Sequence, residues 1–150
     1  MNVEKLIKDV KRRKNIIKLK QDELLRLKTL CEVSGISFEG DKVTGSRDTE
    51  AKSKAYSKYI IFKDKLHEYI VETIEIREEL TEIICMLEKP LNIKVMSECC
   101  LEDKSFKKVA NELGYSKSRI IDIYNESLCE MKEKTYEIGQ NRTKSDKSVQ

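Results

Sequence analysis

Val3, Val10, Ile17, Leu24 and Cys31 recur at seven-residue intervals along the start of the chain. That spacing puts five apolar side chains on one stripe of an α-helix, as at one core position of a coiled coil. Leu6 and Leu27 fall at the companion position, with Arg13 and Lys20 standing there midway. Polar residues at such positions cost stability but specify register or partner number. Ile16, Leu19, Leu25 and Leu30 widen the stripe, so this helix is expected to pack against more than one neighbour.

A second seam follows. Tyr59, Leu66, Thr73, Leu80 and Leu87 repeat the seven-residue spacing, and Tyr56, Ile70 and Ile84 share the other core position with Lys63 and Arg77. Ile60 and Ile74 widen the face. The pattern predicts a helix over 49–88. Asp48 can cap it, because its carboxylate can accept the free N–H groups of a first turn. Pro90 ends it, because proline disfavours helical geometry at the residue before it. Between the seams, SGISFEGDKVTGSRD at 34–48 holds three glycines and reads as a loop.

Composition agrees with helices rather than a sheet: 38% of residues are charged, with 5 Gly, 1 Pro and no Trp among 150. The expected fold class is all-α. Residues 1–89 form a long N-terminal helical hairpin that serves as an oligomerisation region, 90–135 form a DNA-binding domain, and 136–150 form a flexible polar tail.

The chain's start, MNVEKLIKDVKRRKNIIKLK, is broken by charge every few residues and lacks the apolar centre of a signal peptide. No apolar run approaches the roughly 18 residues of a membrane span. The expected location is the cytoplasm, with no membrane partner. Five cysteines (31, 85, 99, 100, 129) make no CxxC pair, and His67 is the sole histidine. A zinc site needs about four ligands, so the expectation is no metal, no cofactor and reduced thiols that act as small core hydrophobes.

Charge is uneven. Residues 1–30 carry ten Lys/Arg against four Asp/Glu, net +6, while 49–89 carry seven against nine, net −2. The cluster KRRK at 11–14 is read as a helix face that pairs with acidic residues such as Glu72, Glu75, Glu78 and Glu79, with phosphate contact as the alternative.

The segment SFKKVANELGYSKSRIIDIYNESL, 105–128, is the most specific part of the chain. Ser105 can cap a short helix whose apolar positions are Phe106, Val109, Ala110 and Leu113. Gly114 can take the positive φ that ends it, Tyr115 can pack in the turn, and Ser116 can cap the next helix. That second helix turns Ile120, Ile123, Leu128 and Met131 inward. Counted from Phe106, alanine stands fifth, glycine ninth, and isoleucines fifteenth and eighteenth, the helix-turn-helix pattern. Within 105–119, Lys107, Lys108, Lys117 and Arg119 oppose Glu112 alone, four cations less one anion, net +3. Lys117, Ser118 and Arg119 open the second helix, where a recognition helix carries donors for base edges and phosphates. Ile121, Asp122 and Asn125 continue its outward face. The expected DNA-binding residues are Lys107, Lys108, Ser116, Lys117, Ser118, Arg119, Ile121, Asp122 and Asn125.

From Pro90 to about Lys134 the chain resembles region 4 of the sigma-70 family of transcription initiation factors. The whole arrangement is similar to small sigma-like regulators of Gram-positive phages and prophages, the RinA and ArpU type of late-gene activator. The likeness rests on LEKPLNIKVMSECCLEDKSFKKVANELGYSKSRIIDIYNESLCEMKE. Asp103 stands where that family commonly has glycine. The resemblance implies a sequence-specific transcriptional regulator acting on double-stranded DNA, with RNA polymerase as a further candidate partner and a homodimer as the expected assembly. No Gly-rich phosphate loop, acid pair or nucleophile motif supports an enzyme, and no catalytic residue is expected. The alternative reading is a helical interaction or packaging protein, like a small terminase subunit or a polymerase-binding factor.

Overall fold

The structure is a computed structural model that describes residues 1–33, 35 and 49–145, the side chains of 49 and 142–145 excepted. Its elements are α1 (Val3–Val33), α2 (Thr49–Cys85), α3 (Pro90–Met96), α4 (Phe106–Leu113) and α5 (Lys117–Ser145). A π-helical turn, Ser97–Leu101, continues α3. No strand occurs among the described residues, and the fold class is all-α. The expected loop at 34–48 lies outside the described residues except for Gly35, and so does the expected cap at Asp48.

The chain divides into two compact units, Arg13–Thr73 on one hand and Met1–Arg12 with Ile74–Gln150 on the other. The divisions fall inside α1 and α2, whereas the sequence suggested a boundary at Pro90. The expected helix 49–88 ends at Cys85, and Pro90 starts the next helix without marking where the core closes.

In the unit Arg13–Thr73, the seam residues Cys31, Tyr59, Leu66 and Thr73 are buried, and Ile17 and Leu24 are half-buried. Arg13, at a core position of α1, pairs with Glu72 at 3.5 Å and stacks its guanidinium 5.0 Å from the Tyr69 ring centre. Lys20, one heptad on, places its ammonium 5.6 Å from the ring centre of Phe62 and 5.7 Å from that of Tyr69. The two cations thus keep charged heads over aromatic faces while their stems cover apolar surface. Leu19 and Leu25, expected to meet a neighbour, are 70% and 63% exposed.

The second unit holds a single apolar core. Val3, Ile7 and Val10 of α1 and Leu80, Ile83, Ile84 and Leu87 of the second seam belong to it. Val95 and Met96 of α3, Val109 and Ala110 of α4, and Ile120, Ile123 and Met131 of α5 complete it. The π-helical turn adds Cys99, Cys100 and Leu101, three buried residues in succession. The π turn packs against α4, and all three side chains enter the core. Burial raises the Cys100 thiol to about 11 and also pushes up Cys99, so both stay protonated core groups.

Pro90 begins α3 as its first residue, with Lys89 extended ahead of it (φ −90°, ψ 124°). The expected flexible tail from 136 is instead helical as far as Ser145, while 146–150 lie outside the described residues. Between Ser127 and Ser145 the sequence holds no proline and a single glycine, Gly139, through which the helix continues. The last turns gain side-chain bonds four residues apart, from Thr135 Oγ1 to the Met131 carbonyl at 2.9 Å and from Gln140 Nε2 to Tyr136 Oη at 2.7 Å.

Candidate nucleic-acid interface

Three residues punctuate the pair α4 and α5. Ser105, extended at φ −69° and ψ 151°, accepts the Lys108 N–H on its Oγ at 3.3 Å and so caps α4. Gly114 ends α4 in the left-handed region, φ 73° and ψ 29°. Its N–H donates to the Ala110 carbonyl, as does that of Tyr115 at 3.0 Å, so one carbonyl serves both turn amides. Ser116 Oγ accepts the Arg119 N–H at 3.2 Å and starts α5. Tyr115, expected to pack in the turn, is 43% exposed.

The residues singled out on α5 divide by their angle from the buried stripe of Ile120, Ile123, Ser127 and Met131. Ser118, Asp122 and Asn125 are exposed and lie opposite that stripe. Lys117 and Arg119 are exposed on its two flanks. Ile121, expected on the outward face, is half-buried, because it stands beside Ile120 and in line with the half-buried Tyr124 and Leu128. Ser116 is exposed, with its oxygen engaged as the cap.

Arg119 shares its flank with Glu126 and Lys89. Lys89 Nζ lies 2.5 Å from Glu126 Oε1 and holds that carboxyl below its usual range, with Arg119 adding to the effect. On the other flank, Lys117 lines a cleft of about 440 Å³ together with Lys107 from the first turn of α4. Lys108, also exposed, is not among the residues that line it. The structure therefore brings Lys107 and Lys117 together and sets Arg119 apart.

Two further cations reach the cleft. Lys11, from the basic cluster of α1, pairs with Asp103 at 3.2 Å. Lys104 lies between Glu98 at 2.5 Å and Glu112 at 2.7 Å, and the two carboxylates raise its pKa strongly. Glu112, the one acid in the net charge of 105–119, is thereby occupied. No ion pair forms to Lys107, Lys108 or Lys117 among the described residues, which leaves three exposed cations around the turn. Sequence reasoning missed Lys11 and Lys89 as neighbours of this surface, since no local pattern links either to the turn. Within KRRK, Arg12 pairs with Asp9 at 3.1 Å on its own helix, while Lys11 and Arg13 reach the distant carboxylates Asp103 and Glu72.

Asp103 has a left-handed backbone, φ 57°, which is uncommon for a residue other than glycine. Among the described residues no group of three or more His, Cys, Asp or Glu side chains could hold a metal ion, and no helix is long and apolar enough to cross a membrane. No protein-family model matches the chain, and neither the curated proteins nor the solved structures contain a match to it.

Proposed function

We propose that this protein is a sequence-specific DNA-binding regulator of transcription, in which α4 and α5 act as a helix-turn-helix. The observation that carries the reading is the turn itself. A capped helix, a left-handed glycine and a second capped helix are followed at once by exposed Lys117, Ser118 and Arg119. In this reading the first turns of α5 enter the major groove and α4 crosses the backbone. The likeness of residues 90–134 to region 4 of sigma-70 factors, and to the RinA and ArpU type of phage regulator, supports a role at phage or prophage promoters. RNA polymerase is then a second partner.

The protein acts by binding rather than catalysis, in the cytoplasm, and pairs with a second copy of itself. Leu19, Leu25 and Leu30 on α1 and Ile61 on α2 support self-association, because all four are exposed on the unit Arg13–Thr73.

A mobility-shift experiment on the full chain tests the function, with duplexes taken from upstream of the neighbouring genes and two salt concentrations. Retention of one duplex over scrambled competitors at both salts is the expected result. Binding indifferent to sequence, together with a ring-like oligomer in light scattering, would favour the packaging reading instead.

A further inference from the structure

The cleft at the start of α4 draws its charges from three parts of the chain: Lys11 of α1, then Asp103, Lys104 and Lys107 at the start of α4, and Lys117 of α5. Phe106 and Tyr124 supply apolar lining, their rings packed edge to face with centres 5.1 Å apart. We propose that this cleft is a backbone-phosphate pocket that takes one phosphodiester group of duplex DNA with its adjoining sugar. The proposal rests on the DNA-binding reading and adds to it a cation, Lys11, that lies outside the helix-turn-helix.

Three features fit that ligand. The cleft, about 440 Å³, has room for a phosphate and its adjoining deoxyribose against the two rings. Lys107 and Lys117 carry no carboxylate partner among the described residues, so an arriving anion need not displace one. The first turn of α4 also borders the cleft through Ser105, Phe106 and Lys107, adding the positive end of its dipole. Lys104 contributes little, being held between Glu98 and Glu112.

Asp103 makes the proposal distinctive. It is the one carboxylate that lines the cleft, and its pairing with Lys11 positions that ammonium while opposing an incoming phosphate. Removing the acid and removing the lysine must therefore act in opposite directions. A merely structural ion pair would weaken the protein in the same direction whichever partner is lost.

The test uses the full chain, Lys11→Gln and Asp103→Asn. Asparagine keeps the left-handed backbone and removes only the charge. Duplex affinity is measured by fluorescence anisotropy across a salt series. Lys11→Gln is expected to weaken binding and to flatten the dependence of log K on log salt by about one unit. Asp103→Asn is expected to tighten binding about fivefold, the scale of one charge interaction near 4 Å in water. If the parent binds duplex and the variants do not move in these opposite directions, the pocket is wrong and the DNA reading stands. If the parent binds no duplex, the DNA reading fails, and titration of amide resonances with inorganic pyrophosphate decides the pocket. Shifts at Ser105, Lys107 and Lys117 that vanish in Lys11→Gln would uphold an anion site, and their absence would overturn it.

Discussion

Arg77 Nη1 donates to the carbonyl oxygen of Leu101 at 2.9 Å, joining the second seam to the last residue of the π-helical turn. Its Nη2 reaches Glu102 Oε1 at 2.8 Å. In the heptad pattern Arg77 looks like a polar interruption, yet its fork satisfies a helix-end carbonyl that has lost its helical donor. Arg77→Met keeps the stem and removes the donors, so it should destabilise the protein by about 1–2 kcal/mol, a charge-assisted bond discounted for partial exposure. Arg77→Lys should recover only part, since one ammonium cannot reproduce the planar fork. Thermal unfolding followed by circular dichroism measures both.

Excision of residues 90–150 should yield a chain that does not fold cooperatively. That piece lacks Val3, Ile7, Val10, Leu80, Ile83, Ile84 and Leu87, all members of the core around α3, α4 and α5. Each such side chain contributes roughly 1.5–3 kcal/mol when buried. Seven together rival the whole stability of a typical domain, about 5–15 kcal/mol. A sharp, well-dispersed amide spectrum of the excised piece would contradict this.

Gly114→Ala should cost about 1–2 kcal/mol through the backbone alone. A Cβ at Gly114 would meet no atom within 4 Å, so crowding adds nothing, but φ of +73° is unfavourable for alanine. Gly114→Asn should cost less, because asparagine tolerates the left-handed region. Urea titrations of the two variants beside the parent would read the difference, with Ala below Asn below Gly in midpoint.

Acid should weaken the unit that contains α3, α4 and α5. Lys104 and then Lys94 hold Glu98 below its ordinary value of 4.5. Lys132 does the same to Glu4, Lys89 to Glu126, and Lys134 to Glu130. A depressed carboxyl pKa contributes stability that is complete above the unfolded value and lost as pH falls through the folded one. The urea midpoint should thus change little from neutral pH to about 5 and then decline below about 4.5. Glu98→Gln should lower the plateau and make the acid limb shallower.

Arg119→Ala should cost about 1–3 kcal/mol on the preferred duplex and blur discrimination among related sites. Lys108→Ala should weaken every duplex by a similar factor and reduce the salt slope by about one. Competition binding with matched and mismatched duplexes separates the two, with circular dichroism as the folding control. Unchanged affinity of Arg119→Ala for the preferred site would show that α5 reads DNA with another face.

The seams and the turn were legible because each is a local property. Seven-residue spacing puts Tyr59, Leu66, Thr73, Leu80 and Leu87 on one face whatever the rest of the chain does, and all five are buried. Ser105, Gly114 and Ser116 announce their caps and left-handed stop through atoms that bond within four residues. Tertiary structure alone decided which stretches share a core. Val3, Ile7 and Val10 join the core of α3, α4 and α5, where their apolar side chains are withdrawn from water. The same closure brings Lys11 to a cleft with Lys107 and Lys117, and converts Arg77 from a break in a pattern into the donor for Leu101. Helix periodicity carries information over a few turns, whereas such pairings depend on how distant surfaces fit, which no short window of residues contains.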